Sequence, residues 1–271
     1  MNEETALALN ALNRTFYRDH ARSFEETRGD PWPGWRRILP HLAQAGCPSF
    51  LSVLDIGCGN ARFARFLSDA LTRPLVYRGI DASASLLAAA RGKSIPRVAA
   101  EFEQRDLVEE PLPAAGTSET YDCVAAFGIL HHIPGKARRR ELLERLAQRV
   151  APRGLLALAF WDFGAHARFA GKQVGVPEYN RQSPWPIDPR QLEPGDTLLR
   201  WGDRGSGPIR YCHWVDPAEE RDLLAHIDLE PLDSYASDGR GGALNRYRLL
   251  RNAPLARQPG LRSQLEPEGG L

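Results

Sequence analysis

The chain has 271 residues, 42% hydrophobic and 25% charged, with a formal net charge of +1. That is a globular balance, long enough for one large domain or for a core with an insertion. It carries no strong field to draw in nucleic acid or an anionic membrane, so any RNA contact has to come from local patches. Four cysteines, Cys47, Cys58, Cys123 and Cys212, are scattered without paired spacing and suggest neither a disulfide framework nor a zinc knuckle; a reducing compartment fits. There is no signal-peptide pattern and no apolar run near the eighteen or so residues a membrane helix needs. A cytoplasmic protein, without a membrane partner or a metal centre, is expected.

In chain order, Leu7, Ala8, Leu12, Phe16 and Tyr17 recur at helical spacing over Thr5 to Tyr17. Pro31 and Pro33 fix an extended segment around Trp32, and a second helix is expected from Gly34 to Ala45. Residues 1–46 thus read as lid helices added to a core. Phe50 to Leu54 is a short buried strand. It runs into Asp55-Ile56-Gly57-Cys58-Gly59, and a helix follows through Phe63, Phe66 and Leu67. Gly57 and Gly59 allow a sharp turn and a close approach of backbone to a ligand. The helix N-terminus behind them offers free N–H groups. Leu75 to Ile80 is a second strand ending at Asp81-Ala82-Ser83; an acid there, some twenty residues past the glycine turn, is placed to accept from ribose hydroxyls. Ser83 caps a helix through Leu86, Leu87 and Ala90.

Val98 to Glu103 is a third strand leading to Asp106-Leu107, and Glu109 to Glu119 an exposed loop. Tyr121 to Phe127 is a fourth strand opening onto Gly128-Ile129-Leu130-His131-His132. The two histidines suit a structural role, a substrate-facing role or, with a third ligand that is not evident locally, a metal. Ala137 to Val150 is an amphipathic helix whose Arg138-Arg139-Arg140 run suits a solvated face or a phosphate contact. Leu155 to Trp161 is a fifth strand. Strands alternating with helices predict a doubly wound, mostly parallel sheet, with the ligand at the carboxyl ends of the strands.

Asp162 to Arg200 is proline-rich with little periodicity, an excursion over the sheet. Asp216 and Pro217 start a helix, and Leu229 to Tyr235 and Leu244 to Leu250 form a closing antiparallel hairpin. The expected division is 1–46 lid, 47–251 core with an insertion at 162–208, and a disordered tail at 252–271.

Asp55-Ile56-Gly57-Cys58-Gly59 resembles the first motif of the class I S-adenosylmethionine-dependent methyltransferases, with Ala61 where that pattern has its third glycine. The resemblance implies a seven-stranded Rossmann-like sheet and S-adenosylmethionine as cofactor, leaving S-adenosylhomocysteine. It also implies cofactor contacts at Asp55, Gly57, Gly59, Asp81, Ala82, Asp106, Leu107 and Phe127. Tyr17, Phe24, Thr27-Arg28 and Pro31-Trp32-Pro33, together with Gly195-Asp196 to Trp201 and Arg210-Tyr211-Cys212-His213, resemble the methyltransferases of wobble uridines in tRNA. That implies a lid carrying Tyr17 and Arg28 toward the cofactor, Arg210, Tyr211 and His213 near the acceptor, a tRNA partner, and a small zinc-binding activating subunit beside a monomeric enzyme. Packing of Tyr17, Phe24 and Trp32 onto the core, and a buried strand with a satisfied His213, are the bland alternatives. A small-molecule O- or N-methyltransferase, its pocket lined by Tyr179, Trp185 and Trp201, is the competing functional reading.

Overall fold

β1 (Leu51–Ile56) and β4 (Tyr121–Phe127) are buried on both faces because each has parallel neighbours to either side and helices above and below. The computed structural model describes residues 1–26, 29–43, 45, 49–116, 119–202 and 207–253, with only the helical backbone from 21 to 26. β2 (Leu75–Asp81), β3 (Val98–Gln104), β5 (Val150–Trp161), β9 (Glu230–Ser237) and β10 (Asn245–Arg251) complete a seven-stranded sheet in the order β3-β2-β1-β4-β5-β10-β9. β10 runs antiparallel to both β5 and β9; the other pairs are parallel. The strand order reverses between β1 and β4, which is where doubly wound sheets open a crevice at their carboxyl ends.

Side chains alternate across each strand. Val53, Cys123, Ala125 and Ala157 enter one core with Phe63 and Leu67 of α3 (Arg62–Ala70), Trp35 and Tyr247. Leu54, Val124, Ala126 and Leu156 enter the other with Leu142, Leu143 and Leu146 of α5 (Lys136–Ala147) and Leu223 of α7 (Pro217–Leu224). α4 (Ala84–Arg91) starts at Ser83, whose hydroxyl accepts from the Leu86 N–H as expected of a cap.

The lid is one long helix, α1 (Glu3–Glu26). The helix expected over 34–45 is instead a 3-10 turn, Pro33–Ile38, and a single turn α2 (Leu39–Leu42). Pro40 has no N–H to give to a longer ladder. The lid segment is pinned from the far end of the chain. Asp238 accepts from the Gly34 N–H at 2.9 Å, and from Tyr247 and Asn245, while a Cβ at Gly34 would stand 2.4 Å from the Tyr247 ring.

The excursion after β5 has more order than its composition suggests. β6 (Gln173–Val174), β7 (Asp196–Arg200) and β8 (Ile209–His213) form a separate antiparallel sheet, with α6 (Val176–Asn180) between β6 and β7. Its apolar side, with Val174, Tyr179, Leu198 and Tyr211, packs on Leu9 and Leu12 of α1. The excursion therefore runs past residue 208 and takes in β8. Asn252 is tied to β5, its side chain donating to the Val150 carbonyl at 2.7 Å, so the expected tail starts later than 252. Residues 254–271 lie outside the described residues.

Candidate active site

A cavity of about 500 Å³ opens at the carboxyl ends of β1, β2, β3 and β4, a size typical of small-molecule sites. Of the residues expected at a cofactor, Tyr17, Asp55, Gly57, Gly59, Asp81, Ala82, Asp106, Leu107 and Phe127 all lie on its wall. Arg28 lies outside the described residues.

The turn after β1 is built for close approach. Gly57 and Gly59 have φ of +73° and +54°, where side chains are strained. A Cβ at Gly59 would meet only Leu86, at 4.0 Å, so its open side is available to a ligand. Ala61 caps α3 with φ +60°; the methyltransferase pattern has glycine here for a backbone reason that this chain accepts at some cost.

Three acids line the cavity. Asp81 accepts from the Gly59 N–H and the Ser83 N–H, both at 2.8 Å, which fixes its carboxylate at the cavity while leaving lone pairs for a diol. Burial raises its pKa, against those two hydrogen bonds. Asp55 is 3% exposed and accepts from the Tyr77 hydroxyl. Burial pushes its pKa up to about 7, with the Tyr77 bond opposing and the Asp81 charge adding to the shift. Asp106 accepts from Asn10 of the lid at 2.8 Å and from the Val108 N–H at 3.0 Å.

Opposite the acids the wall is aromatic. Trp32 stacks on Trp35 with ring centres 5.5 Å apart and lies over Gly128, where a Cβ would stand 3.1 Å from its ring. Arg62 lies over both indoles. Tyr17 meets His132, hydroxyl to Nε2 at 2.7 Å, and His131 packs on Trp161.

The expected acceptor residues separate. Arg210 lies beside Tyr17, Phe16 and Trp161. Tyr211 and His213, like Arg210, are not among the residues that line the cavity. Asp196 accepts from the Tyr211 hydroxyl at 2.7 Å, and His213 lies between Asp196 (2.7 Å) and Glu219 (2.6 Å). A carboxylate at each ring nitrogen favours the imidazolium form of His213. Burial opposes that charge, but the two carboxylates outweigh it and its pKa is raised. The unfolded value is about 6.5, so the stabilisation is complete below that pH and is lost as pH rises through the higher folded value. Urea midpoints measured from pH 6 to 9 should fall, and His213→Gln should flatten the fall; a parallel decline in both proteins would refute the clamp.

The arginine run is corrected too. Arg139 is fully buried, bonded to Glu193, Glu219 and the Ile133 carbonyl, whereas Arg138 pairs with Glu3 and Arg140 with Asp222. Two groups of metal-ligand type occur among the described residues: His131, His132 and Cys212, and Glu193, Asp196 and His213. The second is committed to the hydrogen bonds just given. The first adjoins the Arg210 cation, whose charge disfavours another cation.

Asn10, Asn13, Arg62 and His132 also line the cavity, and the sequence reading assigned none of them to the cofactor. The available signal was polar: Asn10 and Asn13 are buried, three residues apart, on the apolar face of α1.

A glycine elbow and three acids at successive strand ends are the arrangement of the class I methyltransferase fold, and the cavity suits S-adenosylmethionine. Residues 54–156 match the family described as Methyltransferase domain. The chain is 28% identical over 145 residues to the tRNA (carboxymethyluridine(34)-5-O)-methyltransferase ALKBH8 of Mus musculus, covering 54% of this chain and 19% of that protein. It is 28% identical over 144 residues to a trans-aconitate 2-methyltransferase of Deinococcus radiodurans, covering 53% and 48%. Among solved structures, a SAM-dependent methyltransferase of Methanosarcina mazei superposes with a TM-score of 0.58 at 17% identity, covering 83% of this chain and 99% of that one. The chain spans 19% to 36% of the length of the first three curated relatives it matches. No helix among the described residues is long and apolar enough to cross a membrane.

Proposed function

We propose that the chain methylates a carboxylate-bearing uridine of tRNA. What carries the reading is the joining of a complete nucleoside cavity to a relative whose name specifies carboxymethyluridine. When bound, S-adenosylmethionine supplies a methyl group activated on a sulfonium. Asp55 would hold its amino-acid end, Asp81 its ribose hydroxyls and Asp106 its adenine edge. Trp32 and Tyr17 exclude water and align the acceptor, which is the main demand of an in-line displacement. Held so, the sulfonium would supply its methyl group to a carboxylate oxygen of the acceptor, the carbon–sulfur electron pair staying with sulfur. The acceptor is already ionised, so no base has to remove a proton. The monomeric state, the cytoplasmic location and a small zinc-binding activating subunit belong to the same reading.

A small-acid acceptor is the second reading. The second relative, whose name specifies trans-aconitate, favours it, and so do the arginines. Arg37 is paired with Asp233, Arg138 with Glu3 and Arg140 with Asp222, which removes much of the positive surface that tRNA would use. Methyl incorporation from labelled cofactor into bulk tRNA and into a library of small acids separates the two. Counts are expected in tRNA; silence there, with counts in an acid, overturns the first reading.

A further inference from the structure

Arg210 of β8 is 5% exposed, yet its Nε and Nη1 have no hydrogen-bond partner. Its guanidinium lies 5.4 Å from the Phe16 ring centre and 5.1 Å from that of Trp161. Other buried or largely buried arginines are matched by acids: Arg139 by Glu193 and Glu219, Arg246 by Asp162 and Glu220. No carboxylate lies in ion-pair range of Arg210 among the described residues. A buried charge without a counter-ion is costly, and two ring faces offset only part of that. The polar neighbour it does have is the Tyr17 hydroxyl, which reaches His132 on the cavity wall.

We propose that Arg210 is the anion-recognition residue of the acceptor site, held unpaired in the free protein so that the acceptor's own carboxylate completes it once Tyr17 moves aside. The proposal rests on the carboxylate-acceptor reading above and names the residue that gives it specificity. A phosphodiester is tied into a backbone on both sides and does not fit a niche this buried. A terminal carboxylate does, and with one negative charge it matches the one cation. An amide or ester of the same shape leaves the arginine unpaired and is rejected, as sites with buried polar groups reject analogues that cannot satisfy them.

The test is Arg210→Met, similar in length and uncharged, with Arg210→Lys beside it. Without acceptor, Arg210→Met should melt about 2 to 8 °C higher than the parent chain, because an unmatched buried charge is gone. Its calorimetric affinity for S-adenosylhomocysteine should stay within about twofold, well under one power of ten. Two acceptor probes are used: an anticodon-loop oligonucleotide carrying 5-carboxymethyluridine, and trans-aconitate, each against its carboxamide. The parent should prefer the acid of at least one pair by about 100-fold or more, within the range that buried polar recognition supplies. Arg210→Met should lose that preference and Arg210→Lys keep part of it. A melting point that falls in Arg210→Met makes the arginine a structural residue and overturns the proposal, as does undiminished acid preference. If the parent methylates trans-aconitate but not the oligonucleotide, the tRNA reading fails while the arginine assignment is still decided by the other arms.

Discussion

Replacing Arg139 with leucine is expected to destabilise the folded chain by about 3–5 kcal/mol, the cost of breaking a buried ion network from one side. The guanidinium is fully buried and holds Glu219 through Nε at 2.9 Å, Glu193 through Nη2 at 2.7 Å and the Ile133 carbonyl through Nη1 at 2.9 Å. It thereby joins α5, the turn after β4, the strap before β7, and α7. Glu219 in turn holds His213, so leucine would leave three carboxylates, including Asp196, around a single imidazolium. Against a total stability of about 5–15 kcal/mol for a typical domain, the loss should appear as a large fall in the urea midpoint. A change below about 1 kcal/mol, the level of an exposed pair, would show that the network contributes nothing beyond its surface.

Asp81→Ala is expected to weaken binding of S-adenosylhomocysteine by more than about tenfold, or about 1.4 kcal/mol. The carboxylate is oriented by the Gly59 and Ser83 N–H groups, and no other acid stands at the end of β2. Calorimetry on protein whose circular dichroism matches the parent reads the effect directly. Unchanged affinity removes Asp81 from the ribose role, and with it the argument that the second strand end positions the nucleoside.

How much of this was legible in the sequence depended on distance along the chain. The elbow at Gly57 and Gly59, the strand ends at Asp81 and Phe127 and the doubly wound, mostly parallel sheet follow from local periodicity and turn chemistry. Arg139 could not be read that way. Its acidic partners are 54 and 80 residues away, and nothing local distinguishes it from the half-buried arginines beside it. The Arg210-Tyr211-Cys212-His213 segment was hard to read for a different reason. As one cluster of residue types it suggested one site, but a strand sends neighbours to opposite faces. Arg210 and Cys212 share one side of β8, and Tyr211 and His213 share the other, where Asp196 holds both. The resemblance treated the segment as one cluster, whereas the pleat divides it between two faces of β8. Ala61 is the converse case: a departure from the glycine pattern that the backbone absorbs with φ at +60°.

Asn13 of α1 holds the open edge of the inserted sheet at β8. Its side-chain oxygen accepts from the Tyr211 N–H at 2.9 Å, and His132 Nδ1 lies 3.2 Å from the Tyr211 carbonyl. These are the outward-pointing backbone groups in the middle of β8, the ones that an intruding extended chain would seek. A short ribbon with an open rim is a template for pairing between molecules. Here a helix and an imidazole close that rim at Tyr211, so the β8 edge of the new sheet is not left as a sticky border.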